Sequence, residues 1–210
     1  MYMPELFRED DLPTLQALMQ DYSFATLVTQ HEGVPFATHL PLILEADEGP
    51  YGTLFGHVAR ANPQWRYFEA SQEVLVIFQG PHTYVSPSWY EVELSVPTWN
   101  YAAIHAYGTP RLITDYDACY ALLDTLVRTH EAQFARPWLF QLPEDYVHKM
   151  MLGIVAFAIP ITRLEGKFKL SQNRSLTDQQ YVAVTLQQSA DPMSRDVGTL
   201  MQQRQAARRA

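Results

Sequence analysis

The sequence has one cysteine, few basic residues and no long apolar run, and each scarcity excludes a class of protein. Cys119 is the only cysteine in 210 residues, so an intrachain disulfide and a cysteine-rich metal site are excluded. Lys and Arg total 15 against 23 Asp and Glu, and the net charge of -8 argues against a protein that coats nucleic acid through a broad basic face. No stretch approaches the roughly 20 apolar residues of a membrane span, and no signal segment is recognisable. We therefore expect a soluble cytoplasmic protein.

The chain does contain the mixed periodicity of an α+β protein. Apolar residues recur at helical spacing in four segments, and short apolar runs bounded by Gly, Pro and Asn mark the strands. The predicted helices cover 10–22, 115–133, 144–152 and 176–188, with a short helix after Asn62, and the predicted strands cover 24–29, 35–44, 53–58, 74–78, 99–106, 108–114 and 154–164. Hairpin connections predict an antiparallel barrel with peripheral helices. No G-x-G-x-x-G or Walker pattern is present, which excludes the Rossmann and P-loop folds.

Two of the three lysines stand together near a predicted strand end. Lys167 and Lys169 precede Ser171, Gln172 and Arg174, so cations and hydrogen-bonding side chains are concentrated in one short segment. This combination is typical of an anion site. The alternative is a solvated, irregular loop.

A second candidate anion site follows the strand predicted at 53–58. Arg60 comes directly after the strand, and Asn62-Pro63 opens a helix whose free backbone N–H groups point back at the turn. That arrangement suits a phosphate group. The alternative is ordinary helix capping beside a surface arginine.

Aromatic residues mixed with Ser, Thr, Asn and Gln fill 78–90 and 97–101. Such a mixture suits a flat ring that needs stacking and edge hydrogen bonds, although aromatic packing in a Pro-stiffened loop is the alternative. His39, His57, His82 and His105 lack short metal-type spacing, and no G-x-S-x-G elbow is present. The sequence therefore favours neither a metal site nor a serine hydrolase.

Taken together, these motifs resemble the PaiB-type family, described as FMN-binding negative transcriptional regulators. The matching stretches occur in family order as HLPL at 39–42, GHVARANP at 56–63, FQGPH at 78–82, SPSWY at 86–90, VPTWNY at 96–101 and the segment 159–174. The resemblance implies a split β-barrel related to pyridoxamine-phosphate oxidases and small flavin reductases. It also implies a homodimer with FMN between the subunits.

The resemblance also implies roles for individual residues. Thr38, His39 and Leu40 would contact the flavin ring, and His57, Arg60 and Asn62 would contact its ribityl phosphate. Trp99 and Asn100 would cover the ring edge. Charge adds Lys167, Lys169, Ser171 and Gln172 to the expected cofactor-binding set. One departure from the family is the acidic link at 91–95, which has no lysine and makes a phosphate or nucleic-acid role for that loop doubtful.

The expected function is therefore an FMN-binding homodimer with a negative regulatory role. DNA is a possible partner by the family label alone, because no helix-turn-helix is recognisable. The alternatives are a flavin-dependent oxidoreductase or flavin reductase, a haem-handling split-barrel protein and a flavin-free repressor. The expected domains are a split barrel over 1–175 and a helical extension over 176–210.

Overall fold

A computed structural model of the protein describes residues 1–70, 73–91 and 94–207. The chain forms two compact units. The first unit contains Met1–Asp11, Gln79–His105 and Glu165–Ala210, and the second contains Leu12–Phe78 and Ala106–Leu164. The expected division near residue 175 remains a prediction.

Helices and antiparallel strands alternate irregularly along the chain. The α-helices are α1 Leu12–Asp21, α2 Tyr116–Glu131, α3 Glu144–Met151, α4 Leu176–Gln187 and α5 Pro192–Ala207, and short 3-10 helices cover Glu5–Phe7, Pro63–Ala70 and Pro87–Trp89. The strands are β1 Arg8–Glu9, β2 Phe24–His31, β3 Val34–Pro41, β4 Ile43–Glu45, β5 Thr53–Ala59, β6 Val74–Val85, β7 Thr98–Gly108, β8 Arg111–Ile113 and β9 Ile154–Lys169.

The nine strands of the described residues pair in the order β3-β2-β6-β7-β9-β5-β4, and β1 and β8 also pair with β9. β3 and β4 end this order, and no described strand pairs with both of them to close it. The α+β class with an antiparallel sheet and peripheral helices is confirmed. No helix among the described residues is long and apolar enough to cross a bilayer.

The β2–β3 hairpin is set by its two turn residues. Glu32 and Gly33 have φ angles of 51° and 80°, the positive values that a tight two-residue hairpin turn requires. The register then pairs Thr26 with His39 and Leu27 with Thr38. Alternate residues of β3 consequently share one face, which separates His39 from its two neighbours.

Strand β5 of the second unit is buried on one face and packs against helices on the other. Leu54 and Val58 are buried in the sheet core. His57 pairs with Ala156 of β9, and Ala156 belongs to an apolar cluster with Cys119 and Leu122 of α2. Since cross-strand partners project to the same face, His57 lies on the face that α2 covers.

The first unit has its own helical layer in α4 and α5. Val182 and Leu186 of α4 are buried, as are Val197 and Met201 of α5. A Cβ placed on Gly198 would lie 2.9 Å from the Ala183 carbonyl oxygen, so only glycine permits this close approach. The polar C-terminal segment is therefore a packed helix as far as residue 207.

Candidate functional site

The side chain of Arg60 is fixed by the turn between α3 and β9. Its Nε donates to the Leu152 carbonyl at 2.7 Å, and its Nη2 donates to the Ile154 carbonyl at 2.8 Å. Two of the five guanidinium N–H groups are thereby used, and no described residue accepts a hydrogen bond from the other three. A guanidinium held by two bonds presents its remaining donors without losing further side-chain entropy.

Arg60 also lines a cavity of about 310 Å³ in the second unit. Trp65, Tyr116 and His148 share this wall, and the Trp65 Nε1 donates to the Arg60 carbonyl at 3.1 Å. Arg60 therefore lies beside a space large enough for part of a ligand. A cation with free donors beside such a space can bind an anionic group.

Asn62 joins the turn after β5, residues 60–62, to β3. Its Nδ2 donates to the Thr38 Oγ1 at 2.9 Å, and its Oδ1 accepts from the Gln64 backbone N–H at 3.0 Å. The second bond caps the 3-10 helix at Pro63–Ala70, so the capping alternative raised from the sequence is also realised. The first bond fixes the turn relative to β3.

Gln64 was not among the residues expected to shape the site. It is fully buried, and its Nε2 lies 3.0 Å from the Leu27 carbonyl and 3.2 Å from the Phe36 carbonyl. The side chain therefore fastens the 3-10 helix to the β2–β3 hairpin. Its place after Asn62-Pro63 was the only signal in the sequence, because its partners are 37 and 28 positions away.

The three ring-contact candidates lie consecutively on β3. Leu40 is buried in the core, whereas His39 is exposed. β3 pairs with β2 along one edge, and no described strand pairs with its other edge. Unpaired backbone donors and acceptors on an edge strand match the polar edge of a flavin ring.

The surroundings of His57 differ from those of Arg60. Its imidazole lines an apolar cavity of about 190 Å³ in which no charged side chain takes part. Its Nδ1 is buried and has no hydrogen-bond partner among the described residues. Burial lowers the pKa of His57 below its usual 6.5, because the charged form loses hydration.

The other six predicted residues lie in the first unit, where the basic side chains form one group. The Lys169 Nζ donates to the Thr98 Oγ1 and, at 2.6 Å, to the Trp99 carbonyl. Burial lowers the pKa of Lys169, and the neighbouring charges of Lys167 and Arg174 lower it further. No carboxylate of the described residues forms an ion pair with these three cations. An anion bound there would relieve their mutual repulsion.

The polar residues around this group form internal hydrogen bonds. Asn100 is fully buried and donates from Nδ2 to the Ser171 Oγ at 2.9 Å. Ser171 adopts a φ of 63°, which is uncommon for a residue other than glycine. Gln172 donates to the Phe168 carbonyl, and its Oε1 accepts from the Leu170 N–H at 2.6 Å. In contrast, Trp99 is exposed, and its ring lies 6.2 Å from that of His82.

Five predicted residues form a β3–turn group in the second unit, namely Thr38, His39, Leu40, Arg60 and Asn62, whereas His57 lines the apolar cavity instead. In the first unit Lys167 and Lys169 form a lysine group with Arg174, and the other four predicted residues lie around it. In the second unit, the hydrogen bond from Asn62 to Thr38 places β3 beside the turn that contains Arg60 and Asn62. Free guanidinium donors suit a phosphate, and an unpaired strand edge suits a polar ring edge. These features of the second unit fit FMN.

The chain matches the family described as "Putative FMN-binding domain" over residues 1–163. This range covers the whole β3–turn group and ends before the lysine group.

A curated relative matches over almost the entire chain. It is the "Protease synthase and sporulation protein PAI 2" of Bacillus subtilis, which is 39% identical over 203 residues. The alignment covers 96% of this chain and 97% of the relative.

Two solved structures are similar in fold. The FAD and haem binding protein of Mycobacterium smegmatis superimposes with a TM-score of 0.60 at 18% identity, covering 82% of this chain and 78% of that one. The flavocytochrome Anf3 of Azotobacter vinelandii gives a TM-score of 0.57 at 17% identity, covering 77% and 69%. At these identities the likeness concerns the fold alone.

Proposed function

This chain belongs to the FMN-binding family, as its motifs indicated, and from that membership we propose that it is a homodimeric FMN-binding protein with a negative regulatory role. FMN is the cofactor of the family. The observation that carries the proposal is the fixed guanidinium of Arg60, with its three uncommitted N–H groups beside a cavity. A dianionic phosphate is the group in FMN that such donors recognise best.

In this proposal the β3–turn group holds the cofactor. Arg60 binds the phosphate, and Asn62 keeps the turn in register with Thr38. Thr38, His39 and Leu40 contact the ring through backbone or side-chain groups along β3, whose other edge is unpaired among the described strands. The protein supplies orientation and charge neutralisation here, and the flavin supplies any redox chemistry.

The lysine group is the second part of the proposal. Lys167 and Lys169 provide positive charge without a carboxylate partner among the described residues, which favours contact with an anionic group. Trp99 offers an exposed aromatic ring beside it. Asn100, Ser171 and Gln172 are assigned the supporting role that their internal hydrogen bonds favour.

The regulatory role rests on the relative in Bacillus subtilis, whose name refers to protease synthesis and sporulation. A net charge of -8 disfavours a large DNA footprint. We therefore propose that the regulatory effect depends on whether the protein carries flavin. Coverage of DNA by a broad basic face is not part of this proposal.

The direct test measures FMN and riboflavin affinity in Arg60→Ala and Arg128→Ala. Riboflavin lacks the phosphate, so loss of Arg60 should weaken FMN binding about 10-fold or more while changing riboflavin binding little. Arg128 is a suitable control, because it is largely exposed and pairs with Asp124 within α2.

Equal losses of FMN and riboflavin affinity in Arg60→Ala would contradict the phosphate assignment and leave a structural role for Arg60. Anaerobic NADH or NADPH provides the test of the regulatory role. An unchanged flavin spectrum is expected, whereas bleaching would replace regulation by a reductase activity.

A further inference from the structure

A second cavity of the second unit has a different chemistry from that of the β3–turn group. It measures about 190 Å³ and lies where β5 and β9 meet α2, α3 and the segment before α3. Its wall consists of one imidazole and seven apolar side chains, contributed by His57, Leu123, Phe140, Leu142, Val147, Met150, Met151 and Ile154.

The volume of this cavity and its apolar wall limit which ligands it can bind. An apolar cavity of about 150 Å³ accepts benzene, so one of about 190 Å³ has room for a single ring with a small substituent. The cavity opens to solvent where Leu142 and Met150 are exposed. No charged side chain lines the wall, and an ionised ligand would lose its hydration without compensation. The occupant must therefore be small, mostly apolar and uncharged.

The imidazole of His57 provides the one polar contact. No described residue forms a hydrogen bond with it, and its Nδ1 is enclosed. An enclosed nitrogen without a partner costs less as an acceptor than as an N–H donor, so the proton belongs on Nε2. The imidazole is neutral near pH 7, because burial lowers its pKa. It can thus donate one hydrogen bond to an oxygen of a ligand.

The segment that contributes Phe140 to the cavity is held in place by its own contacts. The Phe140 ring lies 5.2 Å from that of Tyr120 on α2 and 6.0 Å from that of Trp138. The backbone N–H of Trp138 donates to the Glu131 carboxylate at 2.6 Å. A ligand would therefore enter a formed pocket and need not order the segment itself.

We propose that this cavity binds a small, uncharged, single-ring molecule carrying one oxygen that accepts a hydrogen bond from His57. This cavity shares Met151 and Ile154 with the cavity beside Arg60, but its polar contact is His57, and the inference does not rest on FMN binding. It gives the protein a second ligand, of phenol-like chemistry.

Three fluorinated probes of similar size test this site by ¹⁹F NMR titration of the full chain. They are 4-fluorophenol, 4-fluorotoluene and 4-fluorobenzoate. The phenol should bind about 3- to 10-fold more tightly than the toluene, since it adds one neutral hydrogen bond. The benzoate should bind most weakly. His57→Phe should abolish the preference for the phenol while preserving binding of the toluene.

Two matched substitutions locate the probe. Leu142 and Leu139 are both exposed leucines of the same segment, but only Leu142 lines the cavity. Leu142→Trp should therefore weaken phenol binding, whereas Leu139→Trp should not. Thermal melting of each variant shows whether it is folded.

The inference would be overturned by absence of probe binding, by tighter binding of the benzoate, or by an unchanged phenol preference in His57→Phe. Displacement of the phenol by FMN would also overturn it, because the cavity would then be part of the flavin site. A protein that binds the phenol but takes up no FMN would refute the proposed cofactor site alone.

Discussion

At the scale of single residues, Arg60 and His57 stand three positions apart and have opposite surroundings. An arginine after a strand and before Asn-Pro predicts an anion contact, and for Arg60 this stays a prediction. Its hydrogen-bond acceptors were not predictable, because the Leu152 and Ile154 carbonyls lie 92 and 94 positions along the chain. The surroundings of His57 were likewise not predictable from the sequence, because the apolar wall around it comes from helices distant along the chain.

Burial of His57 makes stability sensitive to pH. Its pKa is lowered in the folded state, so as pH falls below about 6.5 the unfolded chain takes up the proton first. The free energy of unfolding should therefore decrease on acidification, by at most about 1.4 kcal/mol per pH unit for this group, until the folded pKa is passed. His105 contributes in the same direction, because burial also lowers its pKa.

Urea unfolding between pH 7.5 and 5 measures this effect. His57→Phe should give a shallower decrease than the wild type. His130→Phe removes an exposed imidazole at the end of α2 and should change the profile little. An unaltered profile in His57→Phe would contradict the burial argument.

At the scale of elements, the sequence predicted most helices and strands, and it failed where pairing overrides local composition. β9 was expected to end at residue 164, because Glu165, Gly166 and Lys167 resemble a loop. The strand continues to Lys169, since Gly166 and Lys167 pair with Glu9 and Arg8. β6 likewise extends beyond its apolar run to Val85. Such long-range pairing has no local signal.

The α4–α5 contact gives a prediction about packing. Alanine normally favours a helix over glycine by about 1 kcal/mol, but a Cβ at Gly198 would press on the Ala183 oxygen and the Gln187 nitrogen at 2.9 and 3.0 Å. Gly198→Ala should therefore destabilise the protein by about 1–3 kcal/mol, because two backbones must separate.

Chemical denaturation checks this value. Gln203→Ala, at an exposed position of the same helix, should lie within about 0.5 kcal/mol of the wild type. A stabilised Gly198→Ala variant would show that the two helices are not held this closely in solution.

At the scale of the whole molecule, the family and its cofactor followed from motifs in order along the chain, whereas the assembly does not follow from one chain. We expect a homodimer, for which Phe24 and Val34 of the β2–β3 hairpin offer exposed apolar surface. Sedimentation equilibrium should give twice the chain mass of 24.1 kDa. A mass of one chain, with and without FMN, would contradict the dimer.

The central claim is that the fixed guanidinium of Arg60 recognises the phosphate of FMN. The most direct test is calorimetric titration of the wild-type apoprotein with FMN and with riboflavin under identical conditions. Because charge-assisted hydrogen bonds to the phosphate are lost with riboflavin, FMN should bind about 10- to 100-fold more tightly. Equal affinities would contradict the account, because the flavin would then be held without its phosphate.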